Sequence, residues 1–176
     1  IASKYPGRLA EVLVDEGDKV SQGRLLARLD TRTQEAERDQ ARAEVLRAQE
    51  NLGATQATVE LRLSELRLAQ QELGRYSELF QRGHTSRQLL DQQQNRRDTA
   101  NAAVHAAEAQ VLAARAAIVA AEAKVAELTS IIDDSSLYAP LNGVVQFRLA
   151  EPGEVLGAGG RVLLLIDPSN QYMNLY

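Results

Sequence analysis

The sequence predicts an α+β protein in which a long antiparallel two-helix coiled-coil hairpin lies between the two halves of one small β-sandwich. Three observations predict it. Apolar residues recur every seven positions on both sides of a short bend at Gly83-His84-Thr85. No proline interrupts residues 31–134. A strand-and-turn pattern at the start of the chain returns after the hairpin.

Residues 1–30 read as short strands separated by glycine turns. Arg8 to Val14 is a first strand, Glu16-Gly17-Asp18 a turn, and Leu25 to Leu29 a further strand after Gly23. Asp30 or Thr31 can cap the helix that follows, and Thr31 with Gln34 has capping-box spacing.

The hairpin is predicted over residues 31–134: a helix at 31–82, a tip at 83–85 and a second helix at 86–134. In the first helix Val45, Leu52, Val59, Leu66, Leu73 and Phe80 form one row, with Ala48, Thr55, Arg62, Ala69 and Tyr76 three positions on. In the second, Leu90, Arg97, Val104, Val111, Ile118, Val125 and Ile132 repeat the step, with Gln93, Ala100, Ala107, Ala114, Ala121 and Leu128 beside them. These are two a/d seams. Each helix would be a rod of roughly 70 Å, and so narrow an apolar stripe needs a partner along its length. The short connection makes that partner the other half of the same chain. Ala fills 14 of the 27 positions from Ala100 to Ala126, which favours closely approaching helices. Gly83 suits a left-handed helix stop, and Thr85 to Gln88 has capping-box spacing for the next helix. Asp133 and Asp134 oppose the second helix's dipole, so that end is expected to fray.

Residues 135–167 resume the β pattern as a repeat of the beginning. Gly7 to Gly17 aligns on Gly143 to Gly153, with Leu9 on Val145, Leu13 on Leu149 and Asp15 on Glu151. Val20 then falls on Leu156, Gly23 on Gly159 and, after one inserted residue, Asp30 on Asp167. Neither copy could bury a core alone; together they make one sandwich. Residues 168–176 read as a linker and the start of a truncated further β domain, a β-barrel by the likeness described below.

Composition narrows the function. With 4% aromatic residues and no Trp, a large globular core is not expected. A net charge of −4 with both signs interspersed gives no footprint for nucleic acid. No cysteine is present, which excludes disulfides and thiolate-held metal. The longest apolar run, Val162 to Ile166, is too short to cross a bilayer. Ile1 is not an initiator Met, so the chain is expected to be a fragment or a processed product. The two histidines, His84 and His105, lie far apart along the hairpin, and no metal site is expected. Nothing resembles a nucleophile elbow, a phosphate loop or a pair of catalytic acids, so neither enzymatic activity nor a cofactor is expected.

The segment Val14 to Asp30 resembles the first half of a biotinyl/lipoyl domain, and Leu137-Tyr138-Ala139-Pro140-Leu141-Asn142-Gly143-Val144-Val145 resembles the start of its second half. In such carriers the halves meet at a turn bearing the modified lysine; here the hairpin occupies that place. Lys19 lies in the first turn of the repeat, not at the junction, so attachment of biotin or lipoate is not expected. The arrangement is similar to the membrane fusion proteins, or periplasmic adaptors, of the haemolysin-D type found in Gram-negative tripartite pumps and type I secretion systems. The resemblance implies a sandwich of lipoyl/biotinyl type, a periplasmic location with an inner-membrane anchor outside this chain, and a ring of several copies. It implies two partners, a TolC-type outer-membrane channel and an inner-membrane transporter; helix length resembles adaptors of ABC exporters first, and of major-facilitator pumps second. The other readings are a carrier domain or a coiled-coil spacer.

Adaptors that dock on TolC-type channels carry an Arg, a Leu four residues later and a Ser seven after that. Arg75, Leu79 and Ser86 stand at that spacing, and the tip loop adds Gln81, Gly83, His84 and Thr85. Heptad position places Arg75 at c and Leu79 at g, on a flank outside the main seam. The structural alternative is that Arg75 pairs with Glu72 or Glu78, Leu79 packs at the seam edge and Ser86 caps a helix. Arg62 and Arg97 interrupt the apolar seams, either snorkelling to the surface or marking contacts between neighbouring copies.

Overall fold

The structure is a computed structural model that describes residues 1–167; the expected linker and β-barrel start at 168–176 lie outside the described residues. The elements run β1 (Gly7–Val12), β2 (Lys19–Val20), β3 (Leu25–Leu29), α1 (Arg32–Gln81), α2 (Arg87–Asp134), β4 (Ser136–Tyr138), β5 (Gly143–Arg148), β6 (Val155–Leu156) and β7 (Leu163–Ile166). Two compact units result, one from residues 1–40 with the chain from 124 onward, the other from Ala41–Ala123.

The first unit holds two antiparallel sheets, ordered β4-β3-β1-β6 and β2-β5-β7. Each draws on both halves of the chain, because β1 pairs with β6 and β5 with β2. Their inner faces share a core in which Leu9, Leu26, Val145, Val162 and Leu163 are at most 1% exposed. Burying a side chain of that size stabilises by about 1.5–3 kcal/mol.

The internal repeat is a two-fold relation seen bond by bond. Gly17 N–H donates to the Val145 carbonyl at 2.8 Å, and Gly153 N–H to the Leu9 carbonyl at 2.7 Å. Gly23 N–H donates to Ala139, and Gly159 N–H to Ser3, both at 2.8 Å. All four glycines have positive φ, which is why the turns of both copies need glycine at matching places. The Asp18 carboxylate accepts from Asp15 N–H, and the Glu154 carboxylate from Glu151 N–H.

The ladders correct one detail of the sequence alignment. Leu9 pairs with Leu29 and Val145 with Leu165; Glu11 pairs with Arg28 and Phe147 with Leu164. The offset of the first strands therefore continues through the last, with no inserted residue. The mate of Asp30 is Ile166, not Asp167, because an aspartate at the end of each copy was aligned in place of the buried rows. Equivalent surface positions then carry different chemistry: Glu11 and Arg28 form an ion pair of 3.6 Å, where Phe147 and Leu164 are exposed.

Helix entry and exit also differ from expectation. The Thr31 hydroxyl donates to the Glu35 carboxylate at 2.9 Å, so the Thr31–Gln34 box does not form. Asp30 accepts from the Arg32 N–H instead, at 3.3 Å. The end of α2 is held, not frayed. Ser135 is buried and its hydroxyl donates to the Ile131 carbonyl at 2.7 Å; the Lys4 ammonium donates to Asp134 at 2.7 Å. The cation from the other half of the chain offsets the acidic terminus that the dipole disfavours.

In the Ala41–Ala123 unit the two seams face one another. Every seam residue named above within it is buried or half-buried except Phe80, and Ala69, Val104, Ala107 and Ala114 are at most 5% exposed. Phe80 is 38% exposed because α1 ends one residue later, leaving it packing partners on one side only.

Candidate functional site

The bend is built by a complete helix stop. Gly83 sits at φ 75°, its N–H donating to the Phe80 carbonyl at 2.9 Å, while His84 N–H donates to Leu79 at 2.8 Å. These two bonds form a Schellman motif, which satisfies carbonyls that the helix end would orphan. The next helix is capped by Ser86, whose hydroxyl accepts from Leu89 N–H at 3.3 Å. Ser86, and not the expected Thr85 box, therefore starts α2. Residue Thr85 is half-buried, while Gln81, Gly83, His84 and Ser86 are exposed.

Arg75 is exposed and has no ion-pair partner among the described residues. Its expected structural partner Glu72 is engaged elsewhere: the Arg96 guanidinium donates to that carboxylate at 2.7 Å across the hairpin. Leu79 is half-buried, turned further inward than its flank position implied, and Phe80 is correspondingly further out. The bend thus offers a guanidinium unpaired among the described residues, a partly covered aliphatic side chain one turn on, and a serine whose hydroxyl can still donate. Such a set can bind carbonyls or carboxylates of another protein and fill a small apolar groove beside them.

The two seam arginines behave differently. Arg62 reaches out to Glu65 at 2.9 Å, as a snorkelling side chain does. Arg97 instead meets its neighbour through a buried atom: its Nε lies 3.0 Å from the Asp98 carboxylate, with the side chain 36% exposed. The Arg96–Glu72 pair was not anticipated; both residues occupy g positions, and antiparallel helices bring g beside g, so the heptad register contained the signal. His84 and His105 remain apart in sequence, and His105 sits beside Glu108 at 3.1 Å. Among the described residues no group of three or more His, Cys, Asp or Glu is placed to hold a metal ion.

A two-fold β unit whose halves are separated in the chain by an antiparallel helical hairpin is the fold of membrane fusion proteins. The chain is similar to membrane fusion proteins in its hairpin sequence and in its fold. Residues 54–126 match the family model described as "RND MFP, alpha-helical hairpin domain". The UPF0194 membrane protein YbhG of Salmonella paratyphi B, and that of Salmonella newport, are each 30% identical over 189 residues, covering 94% of this chain and 57% of the relative. The chain therefore spans little more than half the length of these relatives. Two solved structures share the fold. MacA from Actinobacillus actinomycetemcomitans is 22% identical with a TM-score of 0.62, covering 93% of this chain and 47% of that one. The membrane fusion protein Spr0693 from Streptococcus pneumoniae R6 is 21% identical with a TM-score of 0.59, covering 91% and 54%. No helix among the described residues is long and apolar enough to cross a membrane.

Proposed function

We propose that this chain is the hairpin and lipoyl-like part of a non-enzymatic periplasmic adaptor that couples an inner-membrane transporter to a TolC-type outer-membrane channel. The hairpin bend docks on the channel through Arg75, Leu79 and Ser86, with Gln81, Gly83, His84 and Thr85 around them. Copies assemble into a ring, and a segment outside this chain anchors each to the inner membrane. The domains of the adaptor are the first lipoyl-like half at 1–30, the hairpin at 31–134, the second half at 135–167 and the link to a β-barrel domain at 168–176.

The observation that carries this reading is Arg75, exposed and unpaired among the described residues, one helical turn before Leu79 on the approach to the bend. A purely structural Arg75 would be expected to hold Glu72 or Glu78; Arg96 takes Glu72, and neither pairs with Arg75 among the described residues. The matching hairpin model is described for adaptors of resistance-nodulation-division pumps. The preference for an ABC transporter rests on helices of 50 and 48 residues, and co-purification with candidate transporters from each class decides between them. A carrier role would need a modifiable lysine between the halves, where the chain has the hairpin. Leu79→Asp tests the docking role: export is expected to be lost, with helicity unchanged and the melting temperature lowered by a few degrees at most. A large fall in melting temperature would assign Leu79 to packing instead.

A further inference from the structure

The seam is not uniform within the Ala41–Ala123 unit. Ala69 and Val104, 5% and 4% exposed, are the last fully buried residues on the way to the bend. Beyond them the seam positions of α2 are Ala100, Arg97, Gln93 and Leu90, so two long polar side chains stand where the rest of the helix has Val, Ile, Leu or Ala. Gln93 Oε1 is buried without a hydrogen bond, and the buried Arg97 Nε has only the Asp98 carboxylate, 3.0 Å away, beside it. A cleft of about 470 Å³ lies here between Leu73, Gly74, Ser77, Leu90, Gln94 and Arg97, but clefts of about 450 and 520 Å³ lie elsewhere along the hairpin, so the layer is marked by its polar seam residues and not by open volume. The bend itself is firmly closed by its Schellman bonds and the Ser86 cap. The weak layer is therefore internal, bounded by a tight turn on one side and the Ala69–Val104 layer on the other.

We propose that residues 73–97 form a separate opening unit, in which the two helices part at the Gln93–Arg97 layer while the turn stays intact and the seam beyond Ala69 and Val104 stays shut. Gln93 is the weak point: its Oε1 is held in the seam without the hydrogen bond that water would supply, so opening the layer solvates it. The segment that opens contains Arg75 and Leu79, so the device changes the spacing of the bend residues whatever protein they meet. It does not rest on the docking proposal.

Native-state hydrogen exchange read by mass spectrometry on this chain tests it. Amides in 73–80 and 90–97 are expected to exchange at least tenfold faster than those in 104–118. Arg97→Leu, which restores an apolar seam, is expected to slow exchange in both tip segments about tenfold and to leave 104–118 unchanged. Gln93→Leu should act in the same direction, and Gly53→Ala, a helical glycine outside the unit, should not affect the tip. Equal protection of the tip and 104–118, or no slowing in either leucine variant, overturns the proposal.

Discussion

Gly143 shows how closely single positions are specified. A Cβ there would lie 2.5 Å from the Ile166 carbonyl oxygen, whereas its repeat mate Gly7 would place one at an ordinary 3.6 Å from Leu29. Gly143→Ala is therefore expected to cost about 1–3 kcal/mol, and Gly7→Ala a few tenths, in thermal or denaturant unfolding. Asp30 makes a second case. Hydrogen bonds from the Arg32 side chain first, then the Arg32 N–H and Arg8, hold its carboxyl well below the usual carboxylate range. A lowered folded-state pKa stabilises above the unfolded value near 4 and is lost as pH falls toward the folded one. The melting temperature of the native protein should thus fall between about pH 4 and pH 2 more steeply than that of Asp30→Asn. At this scale the sequence revealed less than at larger ones. Asp30 was legible as a possible cap, but whether Thr31 bonded Gln34 or Glu35 depends on side-chain rotamers that spacing does not encode.

Helices and strands follow from their periodicity with few exceptions. The seven-residue step placed nearly every seam residue correctly, because burial along two paired helices is set by the angle each side chain makes with the axis. It failed at Phe80, where the helix stops, since periodicity carries no information about what lies opposite. The Arg96–Glu72 bond, whose partners are 24 residues apart across the bend, was signalled by their shared g positions but needs the two helices set in register to be read. A double-mutant cycle on Arg96→Ala and Glu72→Ala should give a coupling of about 0.3–1 kcal/mol, reduced by salt, as expected for a partly exposed pair. Among the strands, the repeat's glycines were legible because turns with positive φ tolerate few other residues. The register of β7 was not: Leu163, Leu164, Leu165 and Ile166 look alike in sequence, and only the ladder with β5 shows which of them face the core.

At the scale of the whole chain, the order of the parts carries the most information. Two copies of a strand-turn-strand unit, placed before and after the helices, can form a core only by coming together, and the crossed pairing of β1 with β6 and β5 with β2 shows that they do. That arrangement makes the fold of the membrane fusion proteins legible in the amino-acid sequence itself. The proposed docking residues were suggested only by resemblance, because Arg75, Leu79 and Ser86 have unremarkable local roles when taken singly. The structure adds that Arg75 has no ion-pair partner among the described residues and that Ser86 also caps α2, so Ser86→Ala should lower stability by about 1 kcal/mol besides any effect on assembly. The central claim, that the bend meets an outer-membrane channel, is tested most directly by cysteine crosslinking in cells from Gln81 and His84, with and without the candidate channel. Docking at the bend predicts a crosslinked band containing the channel subunit from at least one position, absent in cells lacking the channel. Capture of no channel subunit from either position in an otherwise assembled complex would contradict it.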